Sequence, residues 1–227
     1  MEYENLRFLY ESTNIPIPRP ICWFNVPFGP VEVRWGYLLM SRMPGRPLSE
    51  SWLILSHADK YVIIQQLATY MRQLRSIPPP PNPLIGSVGG RPVRCFRLTA
   101  LNPVGPFHDE AHLNRHLRGP RSSQMPPTVM QTHAKRHALV FSHNDLFPQN
   151  ILVEGTKITA IVDWESSGWF PEHFEYCCQR YAVCDDFDAD WASFVPEFLD
   201  EWEEEVQADE AIKKVYESFR VTWDTVE

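Results

Sequence analysis

Residues 140–165, VFSHNDLFPQNILVEGTKITAIVDWE, constrain this chain more than any other stretch. Val140 and Phe141 form an apolar lead-in, which His143, Asn144 and Asp145 break with a polar turn. Ile151 to Val153 is a short apolar run, Glu154-Gly155-Thr156 is a turn signal, and Ile158 to Val162 is a second apolar run. The pattern predicts a loop followed by a β-hairpin. Asn150 then stands at the mouth of the first strand and Asp163 at the end of the second. A tight hairpin returns the chain beside itself, so both side chains reach the same end of the ribbon. Asp145 lies on the loop that feeds this end. Asp and Asn also serve as plain turn residues; what distinguishes them here is that all three converge.

Two carboxylates and an amide suit one chemistry well. Phosphoryl transfer uses an Asp beside the incoming hydroxyl, and an Asn and an Asp to hold Mg²⁺ against nucleotide phosphates. Mg²⁺ takes hard oxygen ligands and binds few protein groups. The protein-kinase catalytic loop reads H-R-D-L-x-x-x-N. Residues 143–150 match it except for Asn144 in the Arg place, and Asp163-Trp164-Glu165 stands where D-F-G follows.

The segments SHNDLFPQN and AIVDWE resemble the core of the aminoglycoside phosphotransferase-like family, relatives of protein and choline kinases. That family carries an H-x-D-x-x-x-x-N loop and a strand ending in I-D-W or V-D-W. The following GWFPEHFEY, the T-x-I-P-x-P at Thr13 to Pro18, and Phe107 to Glu110 within a G-P-F-x-x-E motif extend the resemblance. It implies an α+β, protein kinase-like two-lobe fold. Residues 1–43 would form a reduced N-terminal β lobe and residues 44–227 a mainly helical C-terminal lobe. It implies ATP and Mg²⁺ as cofactors, Asp145 as catalytic base, Asn150 and Asp163 as metal ligands, and His143 as an orienting residue. Met40, Ser41 and Met43, at the break between lobes, would line the adenine pocket. Glu2 or Glu4 would fill the place of the helix Glu. The acceptor would be a hydroxyl-bearing small molecule, held among the C-terminal helices.

Family kinases also carry a Gly-rich strand pair and a strand-borne Lys ahead of the first helix, and no such segment precedes Glu4 in this sequence. Loss of preorganised charge stabilisation typically costs factors of about 10²–10³ in rate. The expectation is therefore either a small-molecule kinase whose sequence is truncated here, or a kinase-like protein that binds without turnover. A Mg²⁺-dependent hydrolase fits less well, since it usually needs further carboxylates for a second metal.

Composition narrows the remainder. A net charge of −8 over 227 residues, with Lys and Arg scattered, argues against a nucleic-acid surface. No apolar run reaches membrane-spanning length and no signal-peptide core follows Met1. Five cysteines without framework spacing fit reduced thiols in a cytoplasmic protein. Helices are expected at Glu2–Glu11, Ser56–Ser76, Glu172–Cys184, Phe194–Val206 and Ala211–Trp223, with apolar stripes including Leu6, Leu9 and Tyr10 in the first and Tyr61, Ile64, Leu67, Ala68, Met71 and Leu74 in the second. Strands are expected at Ile21–Val26 and Val31–Met40 around a turn at Pro27–Pro30, and Gly168–Pro171 reads as a turn. His108, His112 and His116 fall at i, i+4 and i+8, a face that would need further ligands to hold zinc. The acids between Asp185 and Asp190 read as a helix-initiating loop, and those between Glu201 and Glu205 as a solvated face.

Overall fold

A computed structural model describes residues 2–27, 34–98, 102–181 and 186–221. The first helix, α1 (Glu2–Ser12), buries Leu6 and Leu9, while Tyr10 stays half exposed. The chain then runs through prolines, with Ile15 and Ile17 entering the main core. β1 (Pro20–Pro27) and β2 (Arg34–Met40) pair antiparallel, with Pro20 opposite Met40 and Pro27 opposite Arg34. The turn expected at Pro27–Pro30 and the start of the second strand lie largely outside the described residues.

β3 (Arg46–Pro47) joins β5 (Ile151–Glu154), which pairs with β6 (Lys157–Ile161) in a three-stranded sheet. The hairpin register sets Ile151 opposite Ile161 and Glu154 opposite Lys157, as the alternation of turn and apolar runs predicts. α2 (His57–Arg75) starts at its Ser56 N-cap, whose hydroxyl accepts the Asp59 N–H. Ile63, Ile64, Leu67, Ala68, Met71 and Leu74 form its buried stripe. Tyr61 departs from expectation, since its position turns it outward. Lys60 is buried instead; its ammonium meets Asp190 at 2.7 Å and lies over the Trp52 ring.

α3 (Glu110–Arg118) is capped by Asp109, which accepts the His112 N–H at 2.7 Å, and α4 (Pro127–Thr132) precedes the core strands. β4 (Leu139–Ser142) pairs antiparallel with β7 (Gly168–Pro171). The turn expected at residues 168–171 is therefore a strand. Leu139 to Ser142 has unpaired backbone edges, and Gly168 to Pro171, buried at every position, satisfies one of them.

α5 (Phe174–Tyr181) is shorter than the expected Glu172–Cys184, whose last three residues lie outside the described set. The single helix expected over Phe194–Val206 is not formed. α6 (Asp186–Phe194) ends there, and a 3₁₀ turn at Val195–Glu197 with Pro at its start redirects the chain. α7 (Glu203–Val221) takes in the acid run from Glu203 onward and the last expected helix as far as Val221; residues 222 and 223 lie outside the described set. Glu205 is buried there, not solvated, because Lys135 bonds it at 3.1 Å. No helix of the described residues is long and apolar enough to cross a membrane.

Candidate functional site

Asp145 and Asn150 meet directly. The Asn150 amide donates from Nδ2 to the Asp145 backbone oxygen at 2.8 Å and to its Oδ2 at 2.9 Å. This use of Nδ2 leaves the Asn150 Oδ1 as an acceptor. The hairpin closes the far side, because the Val162 N–H donates to the Asn150 backbone oxygen at 2.9 Å. Asp163 follows in the left-handed region at φ 61°, a conformation that Asp tolerates better than most residues. No described residue donates a hydrogen bond to its carboxylate.

His143 locks the loop to the hairpin. Its Nδ1 accepts the Asp145 N–H at 3.2 Å, so the neutral ring donates from Nε2 to the Val162 backbone oxygen at 3.0 Å. Complete burial lowers its pKa to about 4, and the ring lies 4.4 Å from that of Trp164. Both nitrogens are thus engaged by backbone, on either side of the acidic cluster.

Two supporting residues, Glu175 and Asn5, were not singled out individually from sequence, and Asn144 gains a structural role. Glu175 on α5 accepts the His143 and Asn144 N–H groups at 2.6 and 2.8 Å through one carboxylate oxygen. Successive N–H groups around a left-handed residue make such an anion cradle, and Asn144 supplies the turn at φ 67°. This accounts for Asn in the Arg place: a short amide side chain tolerates that backbone and donates to the Ser166 oxygen at 2.9 Å. Asn5 of α1, fully buried, donates to the Trp164 and Ser167 backbone oxygens and accepts from Ser87 and Val88. The sequence signal for Glu175 was its place in the GWFPEHFEY segment.

Glu2 and Glu4 point in different directions. Glu2 accepts the Trp164 N–H at 3.3 Å and feels the Asp163 charge, whereas Glu4 faces Arg91 at 3.6 Å. Acids dominate the electrostatics. Burial, then the neighbouring Asp163, raises the Asp145 pKa to about 7 against the opposing Asn150 hydrogen bond. Glu175 and Glu165 add to that rise. Burial foremost, and Asp163 next, likewise raise Glu2. A site that crowds carboxylates with an unpartnered Asp163 and a free amide oxygen has the donor chemistry of a divalent cation site.

Met40, Ser41 and Met43 sit at the exit of β2. The Ser41 N–H donates to the Arg19 oxygen at 2.9 Å, and its hydroxyl accepts the Arg19 N–H at 2.8 Å. The chain then reaches Gly45, at φ 95°, where a Cβ would stand 2.5 Å from the Thr159 hydroxyl and 2.8 Å from the Val153 oxygen. The segment is thereby pressed onto the hairpin that carries Asn150 and Asp163. No hydrogen bond among the described residues joins Met40, Ser41 or Met43 to Asp145, Asn150 or Asp163. The expected histidine face on α3 is not assembled as a metal site. His108 precedes the helix and stacks on His112, while His112 and His116 pack against Phe107.

Residues 1–213 match the family model of APH, described as the phosphotransferase enzyme family. The chain belongs to this family. Its fold is that of the aminoglycoside phosphotransferases, within the protein kinase-like superfamily. An apo thermostable mutant of aminoglycoside phosphotransferase APH(4)-Ia superposes with a TM-score of 0.62 at 16% identity, covering 98% of this chain and 78% of that one. A ternary complex of the same enzyme with ADP and hygromycin B gives 0.62 at 14% identity over the same shares. The streptomycin–ATP complex of APH(2")-IIa gives 0.56 at 15% identity, covering 98% of this chain and 71% of that one. No protein with a curated description matches the chain by sequence.

Proposed function

We propose that this phosphotransferase-family chain binds ATP with Mg²⁺ and transfers the γ-phosphoryl group to a hydroxyl of a small molecule in the cytoplasm. The observation that carries this reading is the cluster of Asp145 and Asn150, hydrogen-bonded to each other, with the Asp163 charge beside them and no ion pair to either carboxylate among the described residues. Asn150 Oδ1 and the Asp163 carboxylate would hold Mg²⁺, which supplies charge neutralisation at the phosphates. Asp145 accepts the proton of the acceptor hydroxyl; the Asn150 amide keeps its carboxylate aimed, and His143 keeps its backbone in place. Burial and the Asp163 charge raise the Asp145 pKa in the metal-free chain, and Mg²⁺ on Asp163 would offset that rise and keep the base ionised.

Residues 1–43 and 44–227 are assigned to the two lobes, with Met40, Ser41 and Met43 against the adenine between them. Hygromycin B and streptomycin are seated in related folds, and the net charge of −8 favours a cationic acceptor of that kind. A cleft of ≈ 430 Å³ lined by Arg180, Tyr181, Asp209 and Lys213 lies in the helical region where such an acceptor would sit. Phe96 links this cleft to the catalytic loop, packing 6.1 Å from Tyr181 and 5.8 Å from Phe147.

The test is a thermal shift with Mg²⁺ and ATP added together. The wild type should gain stability and Asp163→Ala should not. Equal behaviour of the two proteins at millimolar nucleotide overturns nucleotide binding at this cluster. Release of ADP in the presence of aminoglycosides then separates transfer from the alternative, a kinase-like protein that binds nucleotide without turnover.

A further inference from the structure

A second cluster of ligating side chains lies apart from Asp145. Glu110 opens α3, His137 precedes β4, and His173 follows β7. Glu110 Oε1 stands 2.6 Å from His137 Nδ1 and 3.2 Å from His173 Nε2. One ligand atom from each residue lies within 4.8 Å of the others. The two rings pack at 4.6 Å, and Trp202 covers both, at 5.2 and 6.3 Å.

The outer nitrogens of both rings also face partners. His137 Nε2 stands 3.5 Å from Glu205 Oε1, and His173 Nδ1 stands 3.7 Å from Cys177 Sγ. Three of the four ring nitrogens therefore face carboxylate oxygens, which only accept. A cation at the centre would take the inner nitrogens, His137 Nδ1 and His173 Nε2, together with Glu110 Oε1, and leave the outer ring nitrogens facing Glu205 and Cys177. Metal-bound histidines show this arrangement, the second nitrogen donating to a carboxylate or another acceptor that fixes the tautomer.

We propose that Glu110, His137 and His173 form a zinc site that clips α3, the entry to β4 and the start of α5 together. Two imidazoles and a carboxylate are a borderline N₂O set suited to Zn²⁺, with the fourth position left to water. Tetrahedral zinc at about 2.1 Å from its ligands spaces them about 3.4 Å apart. The His173 edge is already close to that, and the His137 edge opens by less than about 1 Å.

The experiment uses the full chain after EDTA treatment. It is loaded with Zn²⁺ alone, desalted and assayed for metal per chain. One retained zinc is expected, with a melting temperature raised by several degrees. Glu110→Gln and His173→Gln should each weaken retention at least 100-fold, while Asp163→Ala keeps it. Should the two variants fail to fold, Co²⁺-loaded wild type decides the matter. An intense visible band from tetrahedral nitrogen and oxygen ligation supports the site, and a thiolate charge-transfer band places the metal on cysteine and overturns it. Absence of retained zinc in the wild type, equal retention in folded Glu110→Gln, or loss in Asp163→Ala overturns it as well.

Discussion

His143 is neutral in the folded chain because burial holds its pKa at about 4, below the unfolded value of about 6.5. A histidine with a depressed folded pKa contributes stability that is fully present above the unfolded pKa and is lost as pH falls through the folded one. Between pH 6.5 and 4 the unfolded chain takes up the proton that the folded chain refuses. His143→Gln has no such proton to exchange. Urea denaturation should therefore show the advantage of wild type over His143→Gln shrinking by about 3 kcal/mol across that window, at about 1.4 kcal/mol per unit. A pH-independent difference would mean that the ring is not held neutral. Comparing the two proteins isolates this term from Asp145, whose raised pKa acts in the opposite direction.

At the scale of elements, the hairpin, its turn and α2 could be read directly from local signals. β5 and β6 are short apolar runs around the turn at Gly155, and the α2 stripe repeats every three or four residues. Asp145, Asn150 and Asp163 stand out in the sequence because they interrupt the apolar runs at fixed places, and the structure joins Asp145 to Asn150 by a hydrogen bond. Elements that depend on distant partners were not legible. Gly168 to Pro171 is a strand only because β4 lies beside it, and the break at Val195 comes from a Pro in an otherwise helical run. Glu175 and the Glu110–His137–His173 cluster were hidden more deeply, since their contacts are with residues 27 to 63 positions away. Gly45 is likewise visible only in three dimensions. Gly45→Ala should destabilise the chain by about 2 kcal/mol or more, because both the positive φ and the contacts with Thr159 and Val153 oppose a Cβ. A denaturation midpoint unchanged from wild type would show that the β3 segment is free to leave the hairpin.

At the scale of the molecule, charged contacts between distant segments flank the three apolar clusters of the described residues. Arg97 and Asp209 form the most buried of these, with paired hydrogen bonds of 2.7 and 2.9 Å and the guanidinium 4.3 Å from the Phe174 ring. Burial acts against the Arg97 charge, and Asp209 restores it. Asp209→Asn leaves that charge uncompensated, and urea denaturation should report a loss of about 3–5 kcal/mol. A loss below about 1 kcal/mol would show that water reaches the pair. The same pair fixes an order in time. Arg97 and Asp209 are separated by 112 residues, and a ribosome adding about 5–20 residues per second needs roughly 6–22 s to go from one to the other. During that interval the nascent chain carries a cation destined for its interior whose carboxylate partner is not yet synthesised, so this buried pair forms only once α7 emerges.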